Sequence, residues 1–410
     1  MPRVVVTGMG IVSPVGRTVS EFFCALAETR SAIRRVPPEI YAGPHQLAAG
    51  FADFDASAYW PPHRASQFDR ATQFALVAVR DALTDAGLTL TEEESLRAGV
   101  YWGTGLGGAN TIEDSYRQVF AGNGRVRPTT VVLGMNNAAA GNISIEYGLR
   151  GPLLNVSTAC SSSATSIGEA MRAIRSGWAD VIVAGGSEAL ITYGNLRAWD
   201  ATSAMAHADE TDPSRSCKPF SLDRTGLVLG EGAAALVLES EERATRRGAR
   251  IIAELAGYGN TADARGISKP DAGGQVRAIR AALADARLEP ADIDYVNAHG
   301  TATTVGDVVE TCAVKQTFGD HARRLPISST KALHGHLMGA TGAVEMIAAI
   351  CSMDRSVIPP TAHLEQPDPE CDLDCVPNEA RGARLRAVIS NSFGFGGMNA
   401  VLVARAYDRH

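Results

Sequence analysis

The feature that most constrains the fold is an internal repeat. "PLLNVSTACSSSATSIGEAMRAI" reads as an apolar strand, a turn of small residues and an Ala-rich helix, and "LPISSTKALHGHLMGATGAVEMIAAI" reads the same way about 170 residues later. "GVYWGTGLGGANTIEDSYRQVF" and "DYVNAHGTATTVGDVVETCAVKQTF" make a second pair, each strand leading through a Gly/Thr turn into a helix. Both pairs stand in the same order relative to two glycine-rich stretches, "AGGSEAL" and "GFGGMNA". Short β-branched runs alternating with longer amphipathic segments predict an α/β layered fold. The repeat predicts two similar halves, residues 1–245 and 246–410, meeting at the charged run "ESEERATRRGAR", which is expected to be a solvated connector.

The bulk properties narrow the function. The 410 residues are 45% hydrophobic and 20% charged, enough to bury a large core. The formal net charge is -7 with no long run of either sign, which argues against a nucleic-acid binder. The N-terminal "MPRVVVTGMGIVSPVG" lacks the apolar stretch of a signal peptide, and no segment has the length and hydrophobicity of a membrane span. A cytoplasmic protein is therefore expected. The seven cysteines are odd in number, scattered and without a C-x-x-C, so neither a disulfide framework nor a zinc ribbon is expected.

Within this pattern Cys160 occupies a special place. It follows the run Leu153 to Val156 and precedes a helical stripe of Ile167, Met171 and Ile174, so it falls at a strand-to-helix turn. Free N–H groups and the positive end of the helix dipole favour a thiolate there, which predicts a lowered pKa. Ala159, Ser161, Ser162, Ser163 and Ala164 are small enough to let a substrate approach. From the turn alone, a nucleophile and a buried core thiol are equally good readings. Two histidines add weight to the first: His299 and His336 follow strands and sit in turns that the repeat places at the same edge as Cys160.

One Cys and two His also suit zinc. Against that reading, there is no H-E-x-x-H and no carboxylate beside either His, and the His334-x-His336 pair serves a metal only if both rings face inward. "TGMGIVSPVG" and "GTGLGG" resemble dinucleotide-binding glycine motifs. The first runs into Pro14, and neither has the acidic strand end that ribose binding needs. Tight turns between packed layers are the expected role of both.

"VSTACSSS", "NAHGTATTVGD", "STKALHGHLMGATGAVE" and "NSFGFGGMNA", in that order, resemble the β-ketoacyl-acyl carrier protein synthase II family of the thiolase superfamily. "KPFSLDRTGLVLGEGAAALVLE" resembles it too, and the likeness covers nearly the whole chain. The resemblance implies the duplicated thiolase fold with five layers, α/β/α/β/α. It implies a decarboxylative Claisen condensation with Cys160 as nucleophile, His299 and His336 as hydrogen-bond donors to the malonyl carbonyl, and the backbone N–H groups of Cys160 and Phe395 as oxyanion hole. It also implies a Lys331–Glu345 pair supporting His336, Thr301 and Thr303 on the phosphopantetheine arm, and Leu106 lining the acyl pocket. The gate between acyl and malonyl sites would be Phe395 with its neighbours Phe393, Gly394 and Gly396. No cofactor is implied, only acyl groups on an acyl carrier protein. Carrier proteins are acidic, so Arg64, Arg70, Arg125 and Arg127 are candidates for a docking patch. Family members pair through the central sheet, as a homodimer or with a chain-length-factor-like subunit.

The chain departs from the family pattern in places. Thr304 stands where proline is frequent and His334 where a smaller residue is common, and the loop around Ala262–Pro270 lacks an aromatic–His pair. "DPECDLDCVPNEAR" and "GDHARRLPISS" are closer to ketosynthases of bacterial type II polyketide systems, whereas "NSFGFGGMNA" is fatty-acid-like. The expected role is polyketide or specialised fatty-acid synthesis, with housekeeping elongation as the alternative. A non-catalytic chain-length factor would typically lack Cys160, and a thiolase would carry a second cysteine near the C-terminal glycine loop, where this chain has none.

Overall fold

The computed structural model describes residues 2–122 and 124–408. Among them, ten strands form one sheet. In the N-terminal half these are β1 (Val4–Val12), β2 (Ala98–Gly103), β3 (Leu153–Val156), β4 (Val181–Glu188) and β5 (Gly232–Ser240). In the C-terminal half they are β6 (Ala253–Ala262), β7 (Tyr295–Asn297), β8 (Ile327–Ser328), β9 (Ala387–Gly394) and β10 (Met398–Arg405). Their order is β8-β7-β9-β10-β6-β1-β5-β4-β2-β3. Each half therefore repeats one arrangement outwards from the β1–β6 seam. Two antiparallel pairings come first (β1–β5–β4, β6–β10–β9), then two parallel ones (β4–β2–β3, β9–β7–β8).

The inner strands read as near-continuous apolar runs because both faces are buried. In β5, Ala234, Leu236 and Leu238 face the central core, while Ala233, Ala235 and Val237 face the outer one. In β10, Ala400, Leu402 and Ala404 face the same central core, and Val401 and Val403 the opposite outer one. Helices α4 (Ser162–Arg175) and α8 (Thr341–Arg355) fill the middle layer. Outside the N-terminal half lie α1 (Arg70–Asp85) and α3 (Ala138–Tyr147); outside the C-terminal half lie α6 (Ala272–Ala286) and α7 (Gly306–Phe318). The result is the five-layer α/β/α/β/α stack.

The repeat extends to single residues. An Asp caps one outer helix of each half: before α1, Asp69 accepts from the Ala71 N–H, and before α6, Asp271 accepts from the Gly274 N–H. The "TGMG" motif lies wholly within β1, and its glycines let a helix seat against the strand backbone. A Cβ on Gly8 or Gly10 would lie 2.2 or 2.0 Å from the Ala82 or Ala78 carbonyl of α1. Gly257 and Gly259 of β6 meet Ala282 and Ala278 of α6 at 2.3 and 2.0 Å.

The charged run that begins at the end of β5 is solvated only in part: Glu242, Arg246 and Arg250 are exposed, but Glu239 and Arg243 are buried. Glu239 is fully buried and takes hydrogen bonds from Thr7 at 2.5 Å, Arg247 at 2.6 Å and Arg243. Burial alone would raise its pKa, yet the bonds from Arg247 and Thr7 hold it below the ordinary carboxylate value. Thr7 lies at a β-bulge in β1, which supplies the donor from the strand itself. A charge pattern cannot reveal this, because the Thr7 hydroxyl comes from a strand more than 200 residues away.

Candidate active site

Two turns that the repeat makes equivalent bring the site together. Between β3 and α4 the chain makes one 3-10 turn, Ala159–Ser161, and between β8 and α8 another, Met338–Ala340. Ala159 (φ 52°) and Met338 (φ 46°) both adopt the left-handed conformation, which costs a non-glycine residue about 1–3 kcal/mol. That kink presents the next residue, Cys160 in one turn and Gly339 in the other.

The sulfur of Cys160 and ring nitrogens of His299 and His336 all lie within 4.8 Å of one another. Both rings are buried and meet edge to face, centroids 5.4 Å apart. His336 Nδ1 is 2.8 Å from the Thr341 hydroxyl; with that hydroxyl as donor, the proton sits on Nε2, which is buried without a protein partner. His299 Nδ1 is likewise unpartnered. Both histidines line a cavity of about 520 Å3 together with Cys160, Thr301, Phe393 and Phe395. Burial, and then the Lys331 charge, push both imidazoles well below the ordinary histidine value, so both are neutral at pH 7.

Cys160 departs from the sequence expectation. Burial pushes its thiol up to about 11, outweighing the Phe395 N–H, the Lys331 charge and its own N–H, which pull the other way. The predicted lowering fails because the turn is enclosed in the layer between the two halves of the sheet rather than open to water. The two N–H groups nevertheless converge on the sulfur. Gly394 makes this approach feasible, since a Cβ there would lie 3.0 Å from the Thr158 carbonyl and 3.2 Å from the Cys160 nitrogen.

Lys331 and Glu345 are fully buried and paired at 2.5 Å. Burial raises the Glu345 carboxyl to about 7 despite the Lys331 charge. Thr301 and Thr303 hydroxyls are 3.1 Å apart at the cavity wall, with Thr303 accepting from the Gly306 N–H. Phe395 stacks on Trp199 of α5 (Tyr193–Asp200), centroids 5.7 Å apart and 20° from parallel. Gly396 (φ 84°) turns the loop, and its N–H donates to the Ile267 carbonyl at 2.7 Å, tying the 262–270 loop to the Phe395 loop.

The other predicted residues lie outside the Cys160 cavity. Leu106 is half-exposed and lines a separate groove with Ile112, Tyr116 and Tyr193, not the Cys160 cavity. Buried Glu188 causes this: it accepts from the N–H groups of Gly105 (2.6 Å) and Leu106 (3.2 Å) and so pins that turn with the side chain outward. The glycines of "GTGLGG" thus serve an internal carboxylate rather than a phosphate. Arg70 is no docking residue: it makes a bidentate pair with buried Glu231, at 2.6 and 2.9 Å. Arg64 pairs with Glu146 at 2.7 Å and stacks over Phe68. Arg125 and Arg127 lie on the exposed stretch after α2 (Ala109–Ala121). His334 faces Thr330 and the Gly335 carbonyl, not the cavity.

Several residues escaped the sequence reading. Glu310 of α7 accepts from the backbone N–H groups of His299 (2.9 Å) and Gly300 (2.8 Å) and from Asn391 (3.0 Å), and so fixes the His299 turn. A buried glutamate inside "GDVVETC" was the available signal. Thr341, five residues beyond His336, and Trp199 had none.

Comparison with known proteins agrees with this geometry. The family model described as Beta-ketoacyl synthase, N-terminal domain, matches residues 1–244, and that for the C-terminal domain matches residues 252–365. A 3-oxoacyl-[acyl-carrier-protein] synthase 2 of Staphylococcus aureus (strain COL) is 43% identical over 412 residues, 99% of each chain. Nodulation protein E of Rhizobium meliloti is 44% identical over 405 residues, 98% of each. A type II polyketide ketosynthase, solved with its acyl carrier protein and bound to the hexaketide, superposes with TM-score 0.90 at 31% identity over the full length of both chains.

Proposed function

The chain belongs to the β-ketoacyl synthase family of carbon–carbon bond-forming acyltransferases, and from that premise we propose how its own side chains divide the reaction. The observation that carries the assignment is the convergence of Cys160, His299 and His336 beside two backbone N–H groups aimed at the sulfur.

In the first half-reaction the Cys160 sulfur attacks an acyl thioester on a carrier protein. A C–S bond forms to Cys160, the bond to the pantetheine sulfur breaks, and the departing thiol takes the proton that Cys160 releases. A resting thiol with a pKa of about 11 fits this exchange. The N–H groups of Cys160 and Phe395 act chiefly in the transition state, on the oxyanion. In the second half-reaction His299 and His336 donate to the carbonyl oxygen of a malonyl thioester. CO2 leaves, the enolate carbon attacks the acyl group, and Cys160 departs and regains a proton. Burial, and then the Lys331 charge, keep both imidazoles neutral, so they stabilise the enolate without quenching it. Neither step is redox and decarboxylation drives the second, so the scheme calls on no nicotinamide or nucleotide.

Thr301 and Thr303 are placed to bind the pantetheine arm. Phe395, with Phe393, Gly394 and Gly396, forms the gate, and Trp199 is its rest. We set the boundary between the halves at 245/246, between the two family matches. Retention of Cys160, His299 and His336 favours an active ketosynthase over a chain-length-factor-like subunit. Exposed Leu153 and Leu154 on edge strand β3 support pairing through the sheet, and size-exclusion chromatography with and without a co-expressed neighbour separates homodimer from heterodimer. Arg64, Arg125 and Arg127, at the surface, are the candidates for the carrier-protein patch. Among the described residues no helix is long and apolar enough to cross a membrane. Fatty-acid and polyketide relatives both span the chain, so the acyl group decides the pathway. Intact-mass measurement after incubation with a panel of acyl-carrier proteins is expected to show one acyl adduct, lost in Cys160→Ala; an adduct that survives the substitution overturns the scheme.

A further inference from the structure

A second group of donor side chains lies outside the catalytic cavity. The segments carrying His45 and His207 pair through an antiparallel bridge between Leu47 and His207, and the Ala208 N–H donates to the Gln46 carbonyl at 2.8 Å. The pairing sets the two imidazoles face to face, centroids 4.0 Å apart and 18° from parallel. Asp200, the last residue of α5, completes the group. Its Oδ1 is 3.1 Å from His45 Nδ1, and its Oδ2 accepts from the Tyr41 hydroxyl at 2.7 Å. Donor atoms of the three residues lie within 4.8 Å of one another. The Asp200 side chain is only 6% exposed whereas that of His45 is 48% exposed, so one side is fixed and the other is open to solvent.

Two imidazoles and one carboxylate suit a borderline dication, not Mg2+, which demands oxygen ligands in octahedral geometry. Tyr41 supplies the outer hydrogen bond that orients a ligating carboxylate. We propose that His45, Asp200 and His207 form a site for a transition-metal dication such as Zn2+, with solvent completing the coordination. The ion replaces the His45–Asp200 hydrogen bond, and the half-exposed His45 ring turns out of its stack on His207 so that the in-plane lone pairs of both rings converge. Arg197, beside Tyr41 and Asp200 on the same helix, opposes it with its charge. Asp200 directly follows Trp199, so an occupied site ties the end of α5 that supports Phe395 to the paired segments carrying His45 and His207.

The test uses zinc chloride in competition with a chromophoric chelator. The protein is the full-length Cys160→Ala variant, because Cys160, His299 and His336 are themselves a donor cluster. Saturable zinc uptake is expected that excess Mg2+ does not displace. Adding His207→Gln or His45→Gln is expected to weaken it by more than tenfold, and adding Tyr41→Phe by about tenfold. Adding Arg197→Gln is expected to tighten it. Zinc uptake that is absent, that excess Mg2+ displaces, or that is unchanged by both histidine substitutions overturns the proposal.

Discussion

The two halves of the molecule build the same turn twice and use it differently. After β2 the turn at Gly103–Gly108 aims its N–H groups at buried Glu188; after β7 the turn at Ala298–Thr303 aims those of His299 and Gly300 at buried Glu310. After β3 a left-handed Ala159 presents Cys160; after β8 a left-handed Met338 presents Gly339. The N-terminal half thus contributes the sulfur, and the C-terminal half contributes both imidazoles. Gly339 is the counterpart of Cys160 stripped to backbone, and a Cβ there would lie 2.5 Å from the Gly105 nitrogen and 2.6 Å from Glu188. Duplication supplied two equivalent places for a nucleophile, and packing closed one of them.

The largest test of this asymmetry is Cys160→Ala. It is expected to lower β-ketoacyl formation by on the order of 10^4-fold or more, since the covalent route disappears; a carrier-protein condensation assay reads it, and near-normal turnover would break the comparison at once. Next comes Glu310→Gln. Removing the carboxylate that fixes the His299 turn is expected to reduce kcat by about 10–100-fold with KM little changed, separating a positioning role from a purely stabilising one. The matching change on the other side, Glu188→Gln, sets an amide N–H against four donors and is expected to cost about 2–4 kcal/mol of stability, read as a lower midpoint in denaturant. Equal kcat losses from both would mean that the turns are not functionally distinct. The smallest effect lies at the seam. Glu239 has a depressed folded pKa, so its stabilisation is present above the unfolded carboxylate value of about 4.3 and is lost as pH falls through the folded value. Glu239→Gln is expected to flatten the acid limb of the stability curve between about pH 5 and pH 2, measured by thermal melts.

What was legible in the sequence follows a physical line. Strands buried on both faces, and helices with one apolar stripe, are written in local periodicity, so the elements and the duplicated layers could be read directly. Cys160, His299 and His336 were legible because each sits in a turn at a repeated position. The Cys160 pKa was misjudged because local geometry predicts the dipole but not the enclosure. Arg70 and Glu239 were placed wrongly for a shared reason: each is held by a partner distant along the chain, Arg70 by buried Glu231 and Glu239 by the Thr7 hydroxyl. Buried Glu310, whose Asn391 partner is 81 residues away, shares that property and went unseen.

The glycine–alanine contacts of β1 with α1 and of β6 with α6 have a mechanical consequence. Backbone rests on backbone there, so neither flank can slide or rock without a collision. The two loops that the Gly396–Ile267 hydrogen bond links, at the cavity wall, carry no such backbone-on-backbone contact with a helix. The outer walls behave as fixed jaws, and compliance resides in the hinge-like loop tips between them.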